Sequence, residues 1–599
     1  MDEPTLLNHL RALVDTRLVT ATSAETFEFR HALTREAVYS TLLKRQRVVY
    51  HGLVAGILEA QDGEAAPSAA RAADLAYHYH EAANWPKAQK YAQRAGEQAQ
   101  AQYAPREAAQ HFSRALEAAA QLGQPPSLGL LRGRGQAYET LGEFEAARAD
   151  YELGLSAARA AGAADAARAE WQTLLDLGFL WAGRDYARTG DYFQQALALA
   201  RTNGDPLAVA ESLNRVGNWL VNTGPVEAGL QRHHEALEIF HAQNSASGMA
   251  ATHDLLAVSY GFSGNVPASL QHVEQALTLF RASGNKRGVI SSLGSYNSVA
   301  AIGDVVPWAA VTLPDCRQKA AEAADLTRQI GWLAGLAEVQ WSFGLTLAMF
   351  GQLREALTWA NASLRTASEI DHRQWITAGH CVLGYVYLLL LEPETAASHL
   401  EIARSMAAEL GSAWWIGYSA AFLAFARARQ GRAPEARAAL QSGAAAMGLE
   451  AGWAAQPPQS LIGRYLVWAW GETALVDGQP AEALALAERL IDTAINPDSR
   501  PLPHLLKLKG EALMALGRLE EAESALGSAA EAARQHETRP ILWTIEAVRA
   551  RLAKLQGRLA EAQRALATAR AVIDDLANTL EPPMREAFRA RALSQINSL

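Results

Sequence analysis

The chain has 599 residues, too many for one compact core. It must hold several domains or a repeat array, which grows without a single core. Hydrophobic residues make up 49% and charged residues 20%, a folded rather than a disordered composition, and the net charge of −9 argues against a general nucleic-acid or membrane-surface binder.

Taken in chain order, LLNHLRALVDTRLV (6–19) predicts an amphipathic helix. TATSAETFEFR (20–30) predicts a short β-hairpin, and residues 31–60 one or two further helices. Helix, wing-like hairpin and helix make a winged-helix-like unit over residues 1–61. DGEAAPSAA (62–70) follows as a small-residue linker.

From residue 71 a repeat dominates. RVGNWLVNTGPVEAGLQRHHEALEIF (215–240) and LKGEALMALGRLEEAESALGSAAEAA (508–533) align without gaps, as do three further segments. Each has a small residue, an apolar or aromatic residue three later, and a Gly four after that. Small residues let two antiparallel helices approach closely, and the Gly takes the positive φ that ends the first helix. Apolar residues at helical spacing form the shared face. One hairpin cannot bury that face alone, so neighbours must stack. Gly142, Gly183, Gly224, Gly264, Gly303, Gly351, Gly431, Gly478, Gly517 and Gly557 mark the turns, with Leu391 where another would fall. The predicted fold is therefore an all-α solenoid of roughly 40-residue helix hairpins over residues 71–580. Two Pro-containing stretches, 302–318 and 447–463, interrupt the period.

No motif carries catalytic chemistry. There is no G-x-x-x-x-G-K-[ST] phosphate loop and no H-E-x-x-H. His78 and His80, like His233 and His234, stand too close in sequence to face one metal from a helix. Cys316 and Cys381 are the only cysteines, too few for a disulfide framework or a Cys-rich zinc site, which fits a reducing cytoplasm. The first residues, MDEPTLLNHL, read as free of a signal peptide. VLGYVYLLLL (382–391), the longest apolar run, is too short to span a bilayer. The expectation is a cytoplasmic chain with no catalytic residue, metal or cofactor of its own.

The repeated segments resemble tetratricopeptide repeats in a longer form. That resemblance implies a superhelix whose first helices line a concave groove, the usual surface for a protein or peptide. Register from the turn glycines puts Asn214, Asn218 and Asn222 on one face at i, i+4 and i+8, with Asp254 in the next repeat. Trp341, Tyr465, Trp468 and Glu472 fall at comparable places. As a set they are the candidate partner-binding groove. Singly, each Asn also reads as a solvated polar residue and each Trp as packing.

The stretch FEFRHALTREAVYSTLLKRQRVVYH (27–51) has its own texture. Phe27, Phe29, His31, Ala32, Leu33, Arg35, Ala37, Tyr39, Leu42, Leu43, Arg47 and His51 resemble the winged-helix segment of bacterial STAND-type signalling ATPases, both the cyclase-linked kind and the large LuxR-type regulators. In that family a nucleotide-binding domain precedes the winged helix and helical repeats follow. The resemblance implies that this stretch packs against an NTPase domain, supplied in cis or in trans. It makes His31, with Arg35, a candidate contact to that domain's nucleotide, and the competing reading is that both only order the local fold. It also implies a small-molecule, peptide or protein inducer for the repeats. The closing tail, 581–599, resembles that of the cyclase-linked branch and leaves no room for a LuxR-type DNA-binding helix pair. A DNA-reading role for Arg30, Arg35, Lys44, Arg45 and Arg47 competes with the ordinary preference for basic residues near a helix C-terminus. A stand-alone adaptor remains the alternative function.

Overall fold

The computed structural model describes residues 2–23, 26–62, 68–161, 164–300, 311–494 and 502–597. These divide into two compact units, Met1–Gln102 with Arg106–Arg134 and Tyr103–Pro105 with Gly135–Leu599. Gly303 and most of the first interrupting stretch, like the middle of the expected linker, lie outside the described residues.

The first unit begins with α1 (Glu3–Asp15), β1 (Val19–Ala21), β2 (Phe27–Phe29), α2 (Ala32–Thr41) and α3 (Lys44–Asp62). The strands pair antiparallel, Val19 opposite Phe29. It continues with α4 (Ala69–Glu81), α5 (Trp85–Ala101) and α6 (Pro105–Gln121). Three residues of the 27–51 stretch knit α2 to α3. Arg47 donates to the Leu42 and Ser40 carbonyls at 3.0 and 3.1 Å, and its guanidinium lies 4.5 Å from the Tyr39 ring centre. The Tyr39 hydroxyl meets His51 Nε2 at 2.9 Å. The rest of α2 is open: Leu33 is 79% exposed, and His31 and Arg35 are exposed beside it.

Helix α7 (Leu128–Leu141) leads into the second unit, where helices pair as hairpins. They are α8 (Phe144–Ala161), α9 (Ala164–Ala182), α10 (Tyr186–Asn203), α11 (Pro206–Thr223), α12 (Val226–Ala242), α13 (Ala246–Ser263) and α14 (Val266–Ser283). Next come α15 (Lys286–Ala300), α16 (Leu313–Ile330), α17 (Leu333–Met349), α18 (Leu353–Glu369), α19 (Arg373–Leu389), α20 (Pro393–Leu410), α21 (Ala413–Arg429) and α22 (Ala433–Ala446). The array finishes with α23 (Leu461–Val476), α24 (Pro480–Asp492), α25 (Pro503–Ala515), α26 (Leu519–Gln535), α27 (Arg539–Leu555), α28 (Leu559–Asn578) and α29 (Pro582–Asn597). The closing residues are thus one more helix of the array, with Phe588, Ala592 and Ile596 buried.

Each hairpin follows from two local signals. Gly142, Gly224, Gly264, Gly351, Gly431, Gly478, Gly517 and Gly557 all adopt positive φ, and Leu391 takes the same conformation at φ 61°, where a side chain costs about 1 kcal/mol. Gly183 does not. It is small for another reason: a Cβ there would sit 2.8 Å from the His372 ring. The second signal is the small residue on the first helix. A Cβ on Gly510 would lie 2.6 Å from Leu526 Cγ, and one on Gly384 2.5 Å from Leu400 Cγ, the same offset along the chain. Gly510→Val is therefore expected to overpack α25 against α26 and cost about 1–3 kcal/mol. Gly527, in mid-α26, has no neighbouring atom within 4 Å of where a methyl would stand, so Gly527→Ala is expected to gain about 0.5–1 kcal/mol. Urea denaturation of the two variants checks the pair.

Hairpins stack so that first helices touch in succession from α11 through α13, α15, α17, α19, α21, α23 and α25 to α27. The same layer also meets itself farther along the chain: α11 reaches α21 and α13 reaches α23. Arg184 is ion-paired with Asp371, 187 residues on, and Gln374 N–H donates to the Gly183 carbonyl at 3.1 Å. Phe262 stacks on Trp414 with ring centres 3.8 Å apart. Exposed pairs such as Arg354–Glu581 add little; the aromatic stack and buried backbone bond hold this seam.

Candidate functional site

Where the two runs of the array meet, first helices enclose a cavity of about 360 Å³. Its walls come mainly from α9, α11, α13, α15, α17, α19 and α21. Four of the sequence-derived candidates, Asn218, Asn222, Asp254 and Trp341, line it.

Asn214 lies elsewhere. It is 2% exposed, its amide donates to Thr252 Oγ1 at 2.8 Å, and its carbonyl faces His233 Nδ1 at 3.2 Å. The reason is helical geometry: each step of four residues turns the stripe by about 40°. Two steps carry it from the layer between helices to the inner surface. Asn222 accepts from the Tyr186 hydroxyl at 3.2 Å and donates to the Asn218 carbonyl at 2.9 Å.

Two carboxylic acids and one guanidinium line the cavity. Asp254 accepts hydrogen bonds from Ser291 Oγ and Ser292 Oγ at 2.8 and 2.6 Å. Burial still raises its pKa, against those hydroxyls and the Arg215 charge. Arg215 stacks 4.1 Å from the Phe179 ring centre, and its Nε has no hydrogen-bond partner among the described residues. Glu338 lies alongside the backbone of Gly294, where a Cβ would stand 3.5 Å from both its Cγ and its Oε1. Burial, then the Asp254 charge, pushes the Glu338 carboxyl up to about 8.

The opposite wall is aromatic. Trp341 packs against Trp375 and Trp415 with ring centres 5.8 and 5.5 Å apart. The indole N–H groups of Trp341 and Trp415 are buried with no acceptor among the described residues, and Trp415 as a whole is 4% exposed. Such unspent donors are rare in folded proteins because each costs about 1–3 kcal/mol.

Tyr465, Trp468 and Glu472 sit apart from this cavity. Tyr465 and Trp468 are buried in an aromatic cluster with Tyr418, Phe422 and Phe425. Trp468 Nε1 donates to Glu472 Oε1 at 3.4 Å. Beyond lies a charged group that balances itself: Lys507 donates to Glu511 at 2.5 Å, and Glu472 acts on both Lys507 and Arg429.

Arg215, Glu338 and Trp415 are cavity residues that the repeat register did not mark. For Glu338 a signal existed. It is the one charged residue in α17, LAGLAEVQWSFGLTLAM, and stands one helical turn before Trp341. Among the described residues no group of three or more His, Cys, Asp or Glu could hold a metal ion, and no helix is long and apolar enough to cross a membrane.

No protein-family model and no curated protein sequence matches this chain. Solved structures do. A chain of the APC/C hetero-tetramer Cut9–Hcn1 is 14% identical, with 93% of this chain and 95% of that one covered and a TM-score of 0.50. A Rap protein complexed with competence and sporulation factor is 13% identical over 67% of this chain and 97% of its own, at a TM-score of 0.40. A STAND protein with a tetratricopeptide repeat sensor from Pyrococcus horikoshii is 11% identical over 57% of this chain and 52% of its own, at 0.34. At these identities the likeness is one of fold, and the fold of this chain is an all-α solenoid of the tetratricopeptide-like kind.

Proposed function

We propose that this chain is the non-catalytic, partner-binding region of a signal-transduction ATPase, and that its repeats take a protein, peptide or small inducer on their inner face. The observation that carries the reading is the cavity at the seam. Its walls run from α9 to α21 and so include two separate parts of the array, α11–α13 and α19–α21, and it holds two buried indole donors with no acceptor among the described residues. An occupant that touches both runs binds the closed seam better than an open one. It thereby biases a two-state equilibrium, which is what an inducer must do.

The first unit supports the ATPase connection. His31 and Arg35 stand exposed beside the apolar Leu33, Val38 and Leu43, a surface suited to cover by an NTPase domain. A random-peptide display selection on the intact chain tests the groove. Enriched peptides whose binding is lost in Asn218→Ala/Asn222→Ala and kept in His31→Ala support it; no enrichment above an unrelated protein overturns it. The stand-alone adaptor is the second reading, and the mass of the native protein separates the two. A species much larger than 64.5 kDa supports the sensor reading, and one at that mass the adaptor.

A further inference from the structure

We propose, resting on the groove reading above, that the cavity recognises an organic cation: a primary ammonium or guanidinium group seated at Asp254 and Glu338, its apolar stem against Trp341, Trp375 and Trp415.

Charge balance leads there. The cavity lining holds two carboxylic acids and one guanidinium; Arg215 lies over the Phe179 ring and its charge acts on Asp254, not on Glu338. Among the described residues nothing hydrogen-bonds or ion-pairs with Glu338. The neighbouring cluster of Glu472, Glu511, Lys507 and Arg429 supplies its own cations. Glu338 has none acting on it. With no counter-charge, burial keeps a proton on Glu338 up to about 8. An entering cation takes the place of that proton.

The walls select the cation's type. A hard divalent ion needs about six oxygen ligands; beside its two carboxyls this lining offers only neutral hydroxyls and amides, and among the described residues no group of three or more His, Cys, Asp or Glu could hold a metal ion. Aromatic faces attract organic cations and cover their stems. A volume of about 360 Å³ is at the lower end for small-ligand pockets and has room for the head and stem of one organic cation. The unspent indole donors of Trp341 and Trp415 would take a carbonyl oxygen carried on the same ligand.

The other titratable groups facing the cavity are Tyr186 on α10, Arg215 on α11, Asp254 on α13 and Tyr418 on α21; the lining from α9, α15 and α19 contributes none. Burial raises the Tyr186 hydroxyl further above its ordinary range, so it stays neutral across pH 6–8. Binding a cation therefore releases a proton from Glu338, and affinity rises as pH is raised from 6 to 8.

The test is calorimetric titration of the intact chain with N-acetyl-lysine N-methylamide and with its neutral norleucine isostere. The expected result is binding of the lysine probe about tenfold tighter, with proton release seen as a dependence on buffer ionisation heat. Glu338→Gln and Asp254→Asn, confirmed folded by circular dichroism, are expected to erase both the preference and the proton release. Cadaverine as a third probe separates sources: tighter binding than the lysine probe points to a free amine, weaker to a basic side chain of a peptide. Equal affinity for lysine and norleucine probes, no binding of either, or equal competition by Mg²⁺ overturns the proposal. Groove-dependent peptides without Lys or Arg in the display selection would also overturn it while leaving the groove reading standing.

Discussion

Tyr465→Ala is expected to lower the stability of the array by about 3–5 kcal/mol. Tyr465 is 2% exposed. Its ring centre lies 5.8 Å from Tyr418, 5.5 Å from Phe422 and 6.3 Å from Trp468. Truncation removes the buried ring and leaves a cavity among rigid aromatic neighbours on α21 and α23, which cannot collapse to fill it. The urea midpoint should fall, and hydrogen exchange should localise the loss to α21–α23 while α9–α13 stay protected. A groove role for Tyr465 predicts the opposite pattern: ligand binding lost with the midpoint unchanged.

Acidification from pH 7 to pH 4 is expected to destabilise the second unit strongly. Burial holds the pKa of His233 and His504 at about 3 and that of His272, His372 and His380 at about 4. In the unfolded chain each titrates near 6.5. Between about 6.5 and these lower values the unfolded state binds more protons, so stability falls as pH falls. For His233, which is 0% exposed, the slope is about 1.4 kcal/mol per pH unit. Two pairs reinforce the effect. His253 and His272 meet through their Nδ1 atoms at 2.9 Å with Tyr260 stacked on His272. His380 and His399 meet at 2.9 Å with Tyr387 stacked on His399. Each such bond needs a neutral acceptor nitrogen. Glu338, Asp254 and Glu511 act in the opposite sense, since a raised carboxyl pKa loses stability as pH rises, but they are three groups against the five histidines. Urea melts from pH 6.5 down to pH 4 should show a falling midpoint, and His233→Gln should reduce the slope by about one proton.

The hairpins were legible because each is made by residues close in the chain. The turn glycines, Leu391 at φ 61° and the contacts of Gly384 with Leu400 and Gly510 with Leu526 all lie within one repeat. The site was legible in part. A register read from glycines finds which face of α11 or α17 turns inward. It does not say at which step of the stripe a side chain leaves the interface, so Asn214 and Asn222 were grouped although one is bonded to Thr252 and the other lines the cavity. Gly183 matched the turn pattern, yet what requires a glycine there is the His372 ring of a distant repeat.

By itself, then, the sequence determined an all-α repeat array, where its hairpins turn, and the absence from the chain of a phosphate-binding loop or zincin motif. The tertiary structure alone decided that the array meets itself 187 residues on. It decided that Phe262 stacks on Trp414 and that Asp254 and Glu338 share one cavity with the indoles of Trp341, Trp375 and Trp415. The physical reason is accumulation. Each repeat rotates on the last by a small angle set by many side-chain contacts, and the sum over several repeats, which no single segment encodes, determines which distant helices face each other.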